Sequence, residues 1–368
     1  MTILADILLW FDLRLENSLA ADWDNTGLLL GDPAIGVAKA LTCLSLTKDV
    51  AGEAITNGCN LIVTHHPLPF KPLKEITTKT LEGEILWRLA GKGIAVYSPH
   101  TRWDNAKGGI NESLGAMFGL TSMAPLVTLS GYREIKVTTF VPKENVEALA
   151  AAMFQAGAGV IGNYRECSFR LPGTGTFFGE DAASPVVGQK GRREFVSEER
   201  LEMVCPEEKL PEVVQALRKN HPYEEPAFDL FLLQGKTLPR GEGVVGDLPP
   251  GSTLSSVAKL GKSALGLATA ALVGNPGQQV TRAAIVCGSG GSFLPAALRA
   301  GANLFITGEM RFHDCLEARE RGLGVLLLGH YASEKFGMEI LAQQLSLAFP
   351  NIQTVSSNVE TDPVNYLA

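Results

Sequence analysis

One stretch of this chain occurs twice, and the repetition limits its fold more than any other feature. Ala54-Ile55-Thr56-Asn57-Gly58-Cys59-Asn60-Leu61-Ile62-Val63-Thr64 recurs as Ala297-Leu298-Arg299-Ala300-Gly301-Ala302-Asn303-Leu304-Phe305-Ile306-Thr307. Each copy reads as a helix end, a Gly that caps it, an Asn and a short apolar strand. Upstream, the strand around Cys43 matches the strand around Cys287. Downstream, the run 93–97 leading to His100 matches the run 324–328 leading to His330. A supersecondary unit present twice points to duplication. Strands alternating with helices predict an α/β layer with largely parallel pairing. The expectation is two duplicated α/β halves, 1–128 and 243–368, forming one core.

The segment between the halves follows another plan. Strands are expected at 135–141, 166–170, 175–178, 200–204 and 228–232, with helices at 145–155 and 212–219. This β-α-β, β-α-β order predicts an inserted ferredoxin-like (α+β) domain at 131–240. In the first half, an amphipathic helix is expected on Leu4, Ile7, Leu8, Phe11 and Leu15, then strands at 28–30, 40–46, 61–64 and 94–97 and helices at 48–57 and 81–90. The Trp23-Asp24-Asn25-Thr26-Gly27 run reads as a turn, with Asp24 and Asn25 as turn and cap residues. His221-Pro222-Tyr223-Glu224-Glu225-Pro226 reads as a rigid loop.

The chemistry concentrates in Thr64-His65-His66-Pro67. An apolar strand ends there in two imidazoles, and the proline closes the ladder because it has no N–H to donate. Adjacent side chains on a strand face opposite ways. Either the backbone turns between the two histidines, or they serve two neighbouring ions. His330 and Glu334 are four residues apart, which on a helix places them on one face. Alone they would read as an ion pair in a first helical turn. With the repeat and the histidine pair, they join His65, His66 and Asp104 as candidate metal ligands. His100 precedes Asp104 by the same spacing, and reads as a ligand, a group that orients a carboxylate, or a proton carrier. Glu309 and His313 are further proton-transfer candidates. Imidazole with carboxylate suits Zn, Mn, Fe, Co or Ni. Gly288-Ser289-Gly290-Gly291-Ser292 reads as a tight turn, and no serine lies in a nucleophile motif.

Composition narrows the partners. The 368 residues carry a net charge of -7, which argues against a broad nucleic-acid or anionic-membrane surface. No apolar run is long enough to span a bilayer, and the N-terminal stretch lacks a secretory pattern. The six cysteines include no C-x-x-C pair, as expected of a reducing, cytoplasmic compartment.

Three motifs together resemble the NIF-three-like family, whose members are also called GTP cyclohydrolase I type 2 homologues. They are Thr64-His65-His66-Pro67-Leu68-Pro69-Phe70, the run from Pro99-His100-Thr101-Arg102-Trp103-Asp104 to Asn111, and Gly329-His330-Tyr331-Ala332-Ser333-Glu334. The resemblance covers nearly the whole chain, including the Trp23-Asp24-Asn25-x-Gly27 run. It implies the long form, with an insertion similar to the CutA and PII type. It also implies a toroidal homo-oligomer, a hexamer built as a trimer of dimers. Matching positions imply two divalent metal ions per subunit, held by His65, His66, Asp104, His330 and Glu334, with Glu334 bridging. Two departures stand out: relatives often have Asp where this chain has Ser45, and a smaller apolar residue where it has Trp103, a change that would alter the pocket wall. The expected function is a metal-dependent hydrolase acting on an unknown small molecule: a cyclic amide, a nucleotide or a phosphoester. The competing expectation is a non-enzymatic metal-binding regulatory or scaffold protein.

Overall fold

The apolar runs of the repeat become parallel strands buried on both faces. This is a computed structural model, and it describes residues 2–16, 19–129, 134–162, 164–233 and 241–365. The chain divides into two units, Met1–Leu129 with Pro239–Ala368, and Ser130–Leu238. The expected insertion ends, 131 and 240, lie outside the described residues.

The first unit holds two sheets. One contains β1 (Gly27–Leu30), β2 (Lys39–Cys43), β3 (Leu61–Thr64), β4 (Ala95–Ser98) and β15 (Gln353–Ser356), in the order β1-β4-β3-β2-β15. All pairs are parallel except β1 with β4. The other contains β5 (Thr121–Thr128), β10 (Gly241–Asp247), β11 (Ala271–Val273), β12 (Arg282–Ser289), β13 (Leu304–Glu309) and β14 (Gly324–Leu327), in the order β11-β14-β13-β12-β10-β5. Here β12, β13 and β14 are parallel and the outer strands antiparallel.

Side-chain alternation divides the core. Leu61, Val63, Ala95 and Tyr97 face a central cluster that also takes Ala283, Ile285, Leu304, Ile306 and Leu326 from the second sheet. Helices α1 (Leu4–Arg14), α4 (His100–Asn105), α5 (Ile110–Met117), α8 (Leu254–Ala264) and α11 (His330–Ala348) contribute to the same cluster. On its other face the first sheet buries Ile62 and Val96 against α2 (Lys48–Thr56) and α3 (Leu81–Ala90). The second buries Ala284, Phe305 and Val325 against α9 (Leu294–Arg299) and α10 (Phe312–Glu320). Each buried Val, Leu, Ile or Phe among them stabilises the fold by roughly 1.5–3 kcal/mol, which is why these strands read as unbroken apolar runs. Helix α2 starts where Thr47 Oγ1 accepts from Val50 N, and α3 where Thr80 Oγ1 accepts from Gly83 N.

The second unit is one antiparallel sheet of β6 (Glu134–Pro142), β7 (Phe169–Phe178), β8 (Arg193–Pro206) and β9 (Phe228–Leu233), in the order β7-β8-β6-β9. Helices α6 (Val146–Gln155) and α7 (Leu210–Asn220) cover one face, packing Leu149, Met153, Val213 and Leu217 on Val137, Leu201 and Met203. The strands expected at 166–170 and 175–178 are one strand, β7. Pro172 and Gly173 do not break it, because an edge strand leaves one side of the backbone free of the ladder. No helix among the described residues is long and apolar enough to cross a membrane.

Candidate metal centre

Six side chains singled out in the sequence meet at the carboxyl ends of the parallel strands: His65, His66, His100, Asp104, His330 and Glu334. Ligands gather at such strand ends in open α/β sheets. The backbone N–H groups of His65 and His66 donate to Cys43 O and Leu44 O, which extends the pairing past the end of β3. Pro67 then ends it. The His65 side chain is 0% exposed and that of His66 28%, with ring centroids 5.2 Å apart.

Glu334 joins the two halves of the site. His330 opens α11, so His330 and Glu334 stand one turn apart with Nε2 and Oε2 separated by 3.2 Å. His66 Nε2 lies 3.1 Å from the same Oε2 and 3.4 Å from His330 Nε2. The other oxygen, Oε1, faces His65 Nε2 at 3.9 Å, and that nitrogen is 3.4 Å from Asp104 Oδ1. Three groups each offer ligand atoms within 4.8 Å of one another: His65 with His66 and His100, His66 with His330 and Glu334, and His65 with Asp104 and Glu334.

Outer contacts fix the rings. Ser45 Oγ is 2.8 Å from His66 Nδ1, and Glu309 Oε1 is 3.1 Å from His330 Nδ1. Asp24 Oδ1 accepts from His100 Nδ1 at 2.6 Å, while its other oxygen accepts from the Thr101 hydroxyl and N–H. Cys287 Sγ donates to Asp104 Oδ1 at 3.1 Å. Fixing one ring nitrogen sets which tautomer and orientation the other presents inward. Trp103 is buried in the core rather than in a pocket wall. Its indole N–H donates to Gly337 O on α11, so it ties the helix of Asp104 to that of Glu334.

The electrostatics of the metal-free cluster follow from burial and these contacts. Burial pushes Glu334 up, but hydrogen bonds from His330 and His66 outweigh it and hold the carboxyl well below its ordinary range. Hydrogen bonding to Glu334, aided by Glu309, lifts His330 to about 9 against the effect of burial. Burial, then the Glu334 charge, raises Asp104 to about 7. Burial drives His65 well below its ordinary value, so its imidazole is neutral. Neither ring nitrogen of His65 makes a hydrogen bond, although both are buried. Buried polar atoms are rarely left unpaired, and a neutral imidazole facing two carboxylates is the donor set a metal cation takes. The cluster could therefore hold a metal ion.

The remaining sequence expectations divide. Glu309 reaches the cluster through His330. His313 does not: α10 begins at Phe312 and carries His313 outward, exposed, with its ring edge-on to Phe312. The glycine run is tied to its neighbours, with Gly288 N–H donating to Ser333 Oγ and Gly290 N–H to Glu309 O. Asp24, Ser45 and Cys287 were not among the expected site residues. For Asp24 the signal was its place in the Trp23-Asp24-Asn25-x-Gly27 motif.

A family model described as Duf34/NIF3 (NGG1p interacting factor 3) matches residues 2–363. A protein of Halalkalibacterium halodurans named GTP cyclohydrolase 1 type 2 homolog is 37% identical over 365 residues, which is 97% of each chain. One of the same name from Mycobacterium bovis is 36% identical, over 90% of this chain and 88% of the other. The crystal structure of a Bacillus cereus protein related to NIF3 superposes with a TM-score of 0.77 at 34% identity, covering 100% of this chain and 99% of that one.

Proposed function

We propose, from the premise that the chain belongs to the Duf34/NIF3 family, that it is a metal-dependent hydrolase with two divalent ions sharing Glu334. One observation carries the reading: the two oxygens of Glu334 face different donors, Oε1 toward His65, which also faces Asp104, and Oε2 toward His66 and His330. Bound there, Zn, Mn, Fe, Co or Ni ions would polarise a substrate oxygen and acidify a water near neutral pH. Five protein ligands for two ions leave positions open for substrate. Asp24 holds His100 Nδ1, which frees Nε2 to carry a proton at the edge of the cluster. Glu309 keeps His330 aimed inward.

The substrate class follows from the cleft beside His66 and His330, a space of about 980 Å³. Its lining includes Asp49, Glu309, Glu360 and Asp362 but, among the described residues, no Lys or Arg. Glu360 is already held by Leu44 N–H, Ser45 N–H and Lys335. Phosphate recognition calls on Arg, Lys or backbone nests, and in the glycine run the N–H groups of Gly288 and Gly290 are already bonded to Ser333 Oγ and Glu309 O. Two bound ions would take a phosphoryl oxygen as well as an amide one, so the lining decides: with carboxylates along it, a neutral cyclic amide suits the cleft better than a polyanionic nucleotide triphosphate, despite the name its relatives carry. The two sheets are read as a duplication, and the β-α-β-β-α-β second unit as a ferredoxin-like insertion at 131–240. The core then comprises 1–128 and 243–368. The hexameric toroid and the cytoplasmic setting remain part of the same proposal.

Metal-loaded protein offered a dihydropyrimidine, a hydantoin, GTP and p-nitrophenyl phosphate is expected to open an amide ring and spare the phosphates. Failure on all four with bound metal confirmed would leave the non-enzymatic metal-binding role. Asp24→Asn should lower kcat by roughly 10²-fold or more, the scale of a positioned acid–base group, with metal content unchanged. Loss of metal in that variant would make Asp24 a structural support of the centre instead.

Metal uptake should also release protons. Binding needs His330 neutral and Asp104 ionised. With His330 at about 9 and Asp104 at about 7, loading displaces one proton per chain between those values and two below pH 7. Affinity should therefore fall as pH drops, more steeply below 7. Calorimetric titrations in buffers of different ionisation enthalpy measure this, and zero proton release at pH 7 would contradict the assignment.

A further inference from the structure

The second unit carries a cleft that the metal chemistry does not use. It encloses about 850 Å³ on the sheet face opposite α6 and α7, bounded by β7, β8, the residues 183–187 and the loop 223–227. Its walls are mostly apolar, with Leu171, Phe177 and Val187 among them. Clefts of this size and character are those that take small molecules.

At its side lies a carboxylate in an unusual position. Leu201, Met203 and Cys205 of β8 point toward the helices, so the alternating residues Glu198, Arg200 and Glu202 lie on the opposite face. A glutamate there has no need to be buried, yet Glu198 is only 9% exposed. Tyr223 donates its hydroxyl to Glu198 Oε1 at 2.6 Å. Among the described residues no cation pairs with Glu198, because its neighbour Arg200 turns to Glu202 at 2.7 Å. The loop that delivers Tyr223 is itself fixed: His221 Nε2 donates to Phe140 O and its Nδ1 accepts from Tyr223 N–H. Glu224 Oε2 accepts from Ser184 N–H, which ties the loop to the opposite wall. A buried carboxylate with one neutral partner carries a desolvation cost that a cation would offset. The remaining charges on the lining are Glu180, Glu224 and Glu225 against Arg200, so the potential in the cleft is negative.

We infer that this cleft binds a small ammonium-bearing molecule, with its cationic end on Glu198 and Tyr223 and its apolar body along Leu171, Phe177 and Val187. Three probes of matched shape test this on the full-length chain: phenethylammonium, 2-phenylethanol and 3-phenylpropionate, titrated by ligand-observed NMR. The ammonium should bind at least about tenfold tighter than the alcohol, a difference of about 1.4 kcal/mol, and the carboxylate weakest. Glu198→Gln should erase the preference for ammonium over alcohol, and Tyr223→Phe should reduce it. Equal binding of ammonium and alcohol, an unchanged preference in Glu198→Gln, or no ammonium binding at millimolar concentration would each overturn the inference. If Glu198→Gln does not fold, the ratio of ammonium to alcohol in the unaltered chain decides by itself.

Discussion

Replacing Glu334 by Gln is expected to lower metal affinity by more than about 100-fold. Losing an outer partner of a metal ligand already costs about 10–100-fold, and in the proposed centre Glu334 would serve both ions at once. Gln keeps the shape of the side chain but offers one carbonyl oxygen in place of two anionic ones, so one side of the site loses its ligand and the other its charge. The metal-free fold also loses an anion that faces His66 and His330. Breaking one side of a buried pair costs roughly 3–5 kcal/mol, and less here because both imidazoles are partly exposed. Glu334→Gln should therefore melt earlier yet cooperatively, with metal content near zero and hydrolysis gone. Retention of both ions by a folded Glu334→Gln protein would remove the bridge from the account.

Gly288→Ala should damage the centre without replacing any proposed ligand. Gly288 has φ +61°, and a Cβ there would collide with Glu334 Oε1. A left-handed Ala costs roughly 1–2 kcal/mol by itself. The collision adds to this, because His66 and His330 hold the carboxylate from its other side. Gly301→Ala is the control: its φ is +71°, with nothing near the added methyl. Gly288→Ala should lose more stability than Gly301→Ala in denaturant melts, by the cost of the collision, and only Gly288→Ala should lose metal. Equal metal content in the two would mean that Glu334 relaxes freely, against the packing described here.

The sequence carried the parts of the fold that local physics controls. Strand β3 and its repeat partner β13 are legible because burial on both faces leaves an unbroken apolar run. Helix α3 is legible because Thr80 caps its start and Gly91 follows its end. His330 and Glu334 were readable as a pair from their spacing, and as ligand candidates only with the repeat and the His65-His66 dipeptide beside them. Contacts between distant segments were not. Asp24 reads as a turn residue until α4 brings His100 to it, 76 positions later in the chain. His66 and Glu334 are 268 positions apart, and only the repeated stretch and the family resemblance hinted that they share a site. Pro172 signals a break locally, but its place on an edge strand removes the penalty. His313 lies close in sequence to Glu309, yet the start of α10 turns it away from the cluster.

The central claim is that two ions share Glu334. Its most direct test is elemental analysis of protein purified without a metal-affinity step, paired with anomalous diffraction at the metal's absorption edge. The account predicts two metal equivalents per chain and two anomalous peaks, one beside His65 and Asp104 and the other beside His66 and His330, each in contact with Glu334. A single peak, or metal bound away from Glu334, would contradict it.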